Sequence, residues 1–408
     1  MVKKYNKNKY LVSILGAAGL ASASCAAAAA TWEYVTLRAA SSLRFEDNVQ
    51  RLPDGVSFTT PEGNAVRSDV IHTNSAGATV DIPLSRQRLQ LSYDVNRNEY
   101  ENFTNLDYKG DSKRATLGWE MGPRLTGDAG ISKTTNQSEI ADSISRRPNL
   151  RTTTRKYIDA RYPLLRQWRV GAGISMVDSV NSDPVNRVSD SATDGMNFDI
   201  RYEPAAGNYL GFRANRVDVS YPNPVVISGF SFDNGYSQND YKLIAGYAPG
   251  GQNSVQLALG QNVRKPNESV RGTATGTVGS LDLVWVPVGR TTINLGAQRE
   301  YAPPQDITTD NTVVDSLLVG AGWRATAKIT ARGDLSYVNR KYALGQTSLL
   351  TGLPARSDTT TFGRFSLTYA AHDRVVLLFS MRQEQRESTV PGNNYSANTV
   401  STTVQVTF

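Results

Sequence analysis

Charged side chains in this chain alternate with apolar ones. Arg114, Arg161, Arg169, Arg201, Arg213, Arg332, Arg364 and Arg382 stand with Asp94, Asp199, Asp282 and Asp334 between residues such as Leu, Val, Phe and Ala. In an extended chain alternate residues share a face, so these groups would form one charged surface. Guanidinium and carboxylate groups on such a wall can pair across strands and hold it rigid. Pointed into water, the same groups can act as an arginine ladder that orients a polar, anionic solute. Both signs alternate along the chain, so pairing is the first expectation and the ladder the sharper one. Tyr157 and Tyr209 share this face by parity and would offer stacking platforms to a sugar. Phe230, Phe232, Tyr236, Tyr301 and Tyr342 fall near polar stretches, where they would meet a glycan or form an outer girdle.

Catalysis finds little footing. The two histidines are His72, with Ser68, Asp69 and Thr73 nearby, and His372, beside Asp373. A hydrolytic site needs a nucleophile, a base and an orienting group brought together, and a single histidine among polar neighbours is more simply a wall residue. No paired spacing of metal ligands is present in the sequence. We therefore expect no catalytic residue, no metal site, no cofactor and no enzyme.

The elements that would position the charged face are strands. An aromatic followed by a tight turn recurs along the chain at Trp119, Tyr162, Tyr202, Tyr247, Trp285, Trp323 and Tyr369, and Phe408 closes the series in the same phase. Successive members are 38 to 46 residues apart, room for two strands, a short turn and a longer loop. Each aromatic ends a run with apolar residues at every second position, such as Leu281, Leu283 and Trp285, and a similar run returns after the turn. Eight short turns, with both termini at one end, imply 18 antiparallel strands, with 16 the nearest alternative. The longer connections, Asp47 to Arg67, Thr135 to Arg151, Asp178 to Ala192, Tyr221 to Gly235 and Asn339 to Asp358, would cluster at the other end. Short turns on one side and long loops on the other describe an all-β, up-and-down transmembrane barrel. The aromatics would then form a girdle at the periplasmic interface. Propeller blades need four short strands per repeat and do not fit two long ones.

Residues 1–30 read as a cleaved signal peptide, leaving 31–408 as the barrel. Lys3, Lys4, Lys7 and Lys9 precede an apolar run from Leu11 to Ala23, and alanines then offer a cleavage site. Ser22-Ala23-Ser24-Cys25 is a distant lipobox, so lipidation at Cys25 is the alternative to cleavage after the alanines. Without the four leader lysines the net charge of +7 shrinks to +3, which leaves no nucleic-acid footprint. The alternation begins at Val35, Leu37 and Ala39, directly after the expected cleavage site, leaving no room for a plug domain.

The segment Leu43-Arg-Phe-Glu-Asp-Asn-Val-Gln-Arg-Leu-Pro-Asp-Gly55 resembles the opening of the EpsL-type outer-membrane proteins. These accompany exosortase/PEP-CTERM exopolysaccharide operons and are related to β-barrel porins. The resemblance implies a role in polysaccharide export across the outer membrane, with polysaccharide and periplasmic export components as partners, and it brings no catalytic residues. Taken together, we expect a passive channel in exopolysaccharide export, located in the outer membrane. A diffusion porin and a non-conducting structural barrel are the alternatives. Outer-membrane lipid and the barrel-assembly machinery, recognising the last strand through Phe408, would be further partners.

Overall fold

The computed structural model describes residues 34–408, apart from 60–62, 64, 139–147, 228, 269–271, 303–308 and 345–355. The expected signal peptide and Cys25 lie outside the described residues.

Eighteen strands run in chain order around one closed antiparallel barrel. They are β1 (Val35–Glu46), β2 (Asp69–Leu84), β3 (Gln87–Tyr100), β4 (Tyr108–Met121), β5 (Leu125–Gln137) and β6 (Leu150–Leu165). Next come β7 (Trp168–Asn181), β8 (Ser191–Ala205), β9 (Asn208–Ser220), β10 (Tyr236–Tyr247), β11 (Ser254–Pro266) and β12 (Ala274–Val288). The last six are β13 (Thr291–Ala302), β14 (Thr309–Arg324), β15 (Ile329–Leu344), β16 (Ser357–His372), β17 (Val375–Ser388) and β18 (Tyr395–Thr407). Each pairs with its neighbours in sequence, and β1 also pairs with β18, with Ala39 opposite Val406. Beyond the last strand, Phe408 donates its N–H to the Leu37 carbonyl at 2.9 Å and accepts from the Leu37 N–H at 3.2 Å, which completes the seam. Closure leaves no unpaired edge.

The register keeps the apolar set on one face around the whole ring. Phe198 lies opposite Ala172 and Ala214, Leu243 opposite Leu259, and Leu317 opposite Tyr337. This face is convex and open: Leu243 and Leu335 are each 66% exposed despite being apolar. The concave face is crowded by curvature and holds the polar set. An isolated protein in water would not leave so many leucines bare; hydrocarbon is the medium that suits them. Among the described residues no helix is long and apolar enough to cross a membrane, and the chain crosses with strands.

Strand ends differ from the sequence expectation at the long-loop side. β5 runs on to Gln137, β7 to Asn181 and β15 to Leu344, each inside a stretch expected as loop. Main-chain pairing continues above the apolar band, where both faces are polar, so the alternation that betrays a strand disappears there.

Two connections fold inward at this mouth. Asn48, Val49, Gln50 and Leu52 of the first loop are buried, and so are Phe103 and Leu106 of the β3–β4 connection. Val49, Phe103 and Leu106 pack on Ile71, from the concave face of β2. Asp69 organises the second connection by accepting the backbone N–H groups of Val70, Glu101, Asn102 and Phe103 at 2.7 to 3.1 Å. A short 3-10 turn, Pro184–Ser189, closes in similarly, with Asp190 accepting from Asn181 at 2.7 and 2.8 Å.

Candidate functional site: the lumen wall

All fourteen lumen candidates, Arg114, Arg161, Arg169, Arg201, Arg213, Arg332, Arg364, Arg382, Asp94, Asp199, Asp282, Asp334, Tyr157 and Tyr209, stand at register positions of the concave face. The structure does not bring them into one site. Seven lie on β6 to β9 and four on β15 to β17, while Asp94 on β3, Arg114 on β4 and Asp282 on β12 stand outside both groups.

In the sector from β5 to β11 each paired carboxylate takes one cation, and Arg155, Arg213 and Arg264 have no carboxylate partner among the described residues. Arg161 holds Asp128 at 3.0 Å, Arg169 holds Glu203 at 2.9 Å, and Lys242 approaches Asp240 at 3.5 Å. Arg201 holds Asp199 at 2.6 Å and lies over the Tyr209 ring, 5.1 Å from its centroid. Tyr157 and Tyr209 lie against glycines: a Cβ on Gly130 or Gly246 would run into their rings. Both rings therefore rest along the wall rather than standing off it.

The sector from β15 through β18 to β1 is different. Here each carboxylate is shared by two arginines. Asp334 takes Arg332 at 2.8 Å and Arg364 at 2.9 Å. Glu384 takes Arg382 at 3.0 Å and Arg51 at 3.6 Å. Asp358 takes Arg356 at 2.7 Å and also Arg386. Glu46 takes Arg51 and, at 3.8 Å, Arg44. Seven arginines thus surround four carboxylates. The Asp334 side chain is only 2% exposed, whereas Arg332, Arg364 and Arg382 are 41 to 48% exposed. Negative charge is tucked into the wall and guanidinium faces the water. Gly320, opposite Asp334 on β14, leaves space for this: a Cβ there would come within 2.7 Å of Asp334 Oδ1.

Six of the pairs, Arg332–Asp334, Arg382–Glu384, Arg356–Asp358, Arg44–Glu46, Arg201–Asp199 and Lys242–Asp240, join residues two apart in sequence. Pairing across strands was the first sequence expectation, and it holds for Arg161–Asp128, Arg169–Glu203, Arg364–Asp334 and Arg386–Asp358, beside the pairs two apart in sequence. The reason for the latter is the period of two, which stacks such residues on one face of an extended chain.

Arg51 comes from the infolded first loop, which sequence reading treated as a plain connection. Its backbone takes a left-handed φ of 54°. Asn48 holds the loop beneath it, donating to the carbonyls of Leu52 at 2.8 Å and Ser396 at 2.9 Å. Burial disfavours the Arg51 charge, but the carboxylates of Glu46 and Glu384 outweigh burial and raise its pKa. The ring of Tyr395 lies beneath, its hydroxyl donating to Glu384 at 2.7 Å. A hint lay in the sequence: Val49, Leu52, Phe103 and Leu106 are apolar residues in polar connections.

Two loop aromatics need correction. Tyr236 and Tyr342 are buried on the concave side under Arg264 and Arg356, with guanidinium-to-ring distances of 4.2 and 4.5 Å, and so belong to no outer girdle. The side chains of Phe230 and Phe232 lie outside the described residues. His72 sits on the convex face opposite Leu43 and approaches Glu101 at 3.6 Å. His372 lies at the β16–β17 turn and accepts the Arg374 N–H at 3.4 Å.

The girdle residues Trp119, Tyr162, Tyr202, Tyr247, Trp285, Trp323, Tyr369 and Phe408 all stand on the convex face beside the short turns or the seam. Trp168 joins them unforeseen, its ring 5.4 Å from that of Tyr202. With an apolar convex band, a closed ring and aromatics at one rim, the assignment is physical. The protein is an 18-stranded transmembrane β-barrel of the outer-membrane type.

Comparison with known proteins gives one partial family match and several similar solved structures. Residues 251–408 match the family model described as "Putative beta-barrel porin 2". No curated protein matches. Among solved structures the chain is similar to the outer membrane protein opdK of Pseudomonas aeruginosa, at 9% identity over 92% of this chain and 99% of that one, TM-score 0.49. A BenF-like porin of Pseudomonas fluorescens Pf-5 gives 11% identity over 92% and 98%, TM-score 0.49. The FrpB iron transporter of Neisseria meningitidis gives 12% identity and a TM-score of 0.49, and this chain spans 62% of its length.

Proposed function

We propose that this barrel is a passive diffusion channel that favours small anionic solutes. The observation that carries the reading is the sharing of each carboxylate between two arginines in the β15–β1 sector, which leaves guanidinium groups facing the lumen. An 18-stranded ring with strands tilted about 40° has a backbone diameter of about 35 Å, wide enough for water once wall side chains are in place. The infolded loops would then narrow the outer mouth and bring Arg51 to the entrance. Reconstitution in planar bilayers tests this: steady conductance with anion preference is expected, and a sealed or cation-preferring barrel would overturn it.

Exopolysaccharide export is the second reading. It is supported by the resemblance of the Leu43–Gly55 segment to EpsL-type proteins and by Tyr157 and Tyr209, whose rings lie along the wall as sugar platforms do. Loss of surface polysaccharide on gene deletion, with small-anion uptake intact, would favour export over the porin. Both readings include a cleaved leader over residues 1–30, and assembly guided by the last strand and Phe408.

A further inference from the structure

The convex face has a second charge pattern, independent of the lumen. Each strand leaves the apolar band about six to eight residues above the girdle, some 15 to 20 Å at about 2.5 Å per residue of tilted strand. On β4, β5 and β6 the first residue above the band is a lysine: Lys113, Lys133 and Lys156. Lys113 stands directly opposite Lys133 in the ladder, and Lys156 is opposite Ile131. Higher up, Arg97 of β3 faces Lys109 of β4. Like charges set opposite each other on adjacent strands are destabilising unless something compensates them.

Little within the protein does so. Arg97 has Glu99 at 2.6 Å and Lys113 has Asp111 at 3.3 Å. Lys109, Lys133 and Lys156 have no carboxylate partner among the described residues. Five cations therefore meet two carboxylates on the convex face of these strands, from the upper edge of the apolar band toward the long-loop side. Beneath the row lies a dent of about 480 Å³ lined by Ala115, Leu117, Ala129, Ile131, Ile158 and Ile174, with Lys156 at its upper edge. Alanines at two of these positions make the hollow, and its lining faces the hydrocarbon.

We propose that this basic arc and the dent below it bind a phosphorylated, multiply acylated glycolipid of the outer leaflet. Its phosphates sit among Lys113, Lys133, Lys156, Lys109 and Arg97, and an acyl chain occupies the dent. Charge complementarity selects an anion, and the adjoining lipid-facing hollow selects one that carries hydrocarbon. A second copy packed through the same face is less well suited, because it would set these cations against their own counterparts.

The test uses the purified barrel in detergent and native mass spectrometry, with phosphorylated lipid A and its dephosphorylated form as probes. The expected result is one phosphorylated glycolipid retained per barrel and none of the dephosphorylated form. Each basic residue near an anionic surface is worth about 1 kcal/mol, roughly fivefold in affinity. The triple variant K113Q/K133Q/K156Q should therefore lose retention by well over tenfold, while K265Q/K341Q, altered elsewhere on the convex face, should keep it. Ile131→Trp, which fills the dent and leaves the charges, should weaken retention as well. Unequal migration of boiled and unboiled samples checks folding; were the triple variant unfolded, the three single lysine variants carry the test at about fivefold each. Equal retention by the lysine variants, or of both lipid forms by the wild type, would overturn the proposal. So would a salt-sensitive self-association that the triple variant loses while lipid retention stays unchanged, which would assign the arc to a second copy.

Discussion

The double variant R364Q/R382Q is the sharpest test of the lumen reading, because the structure allows its effect to be worked out. Asp334 keeps Arg332 and Glu384 keeps Arg51, so no carboxylate is left alone in the wall. Folding should therefore survive, unlike the usual outcome of removing the sole partner of a buried charge. Among the described residues these seven arginines outnumber the four carboxylates by three. For an ion roughly 8 Å away in water, each surplus charge contributes about 0.5 kcal/mol before screening. A Debye length of about 10 Å at 0.1 M salt reduces this to about 0.2 kcal/mol each, or about 0.7 kcal/mol for three. An anion gains this and a cation loses it, so the anion-to-cation permeability ratio should be about 10 at 0.1 M. With one surplus charge left, the double variant should fall to about 2. At 1 M salt, where the Debye length is about 3 Å, the wild type itself should approach unity. Reversal potentials across a planar bilayer under a salt gradient measure the ratio. A wild-type ratio near unity at 0.1 M, or a double variant that keeps the wild-type ratio, would refute the argument.

Other outcomes follow from the same geometry. Leu243 is 66% exposed on the convex face, four residues above Tyr247 and so about 10 Å into the apolar band; Leu243→Arg should cost about 2–4 kcal/mol in denaturant titrations from lipid vesicles, against well under 1 for the adjacent concave Lys242→Gln. Leu283→Arg, only two residues above Trp285, should cost less than Leu243→Arg in the same assay, and the reverse order would contradict the depth assignment. Asp69→Ala removes the acceptor of four backbone N–H groups and should cost about 2–4 kcal/mol, seen as faster protease cleavage within residues 101–107. Arg51→Ala should free the first loop from Glu46 and Glu384 and raise single-channel conductance; an unchanged conductance would show that this loop does not narrow the path.

The barrel itself was legible from residue order. A period of two needs no knowledge of the partner strand, and hydrocarbon outside with water inside forces that period on every segment. Strand number and the antiparallel closed ring could accordingly be read in advance. What sequence could not show was which charges meet. Parity places Arg332, Asp334, Arg364 and Arg382 on one face, but the sharing of one aspartate between Arg332 and Arg364 depends on register between β15 and β16 and on the space that Gly320 leaves. The infolding of Val49, Arg51 and Phe103 likewise depends on contacts across the mouth, between residues hundreds apart such as Asn48 and Ser396. Local alternation is dictated by the solvent on each side of a strand. Charge balance at a point in the lumen is dictated by ring closure, which brings β1 beside β18 and exists only once the chain has folded.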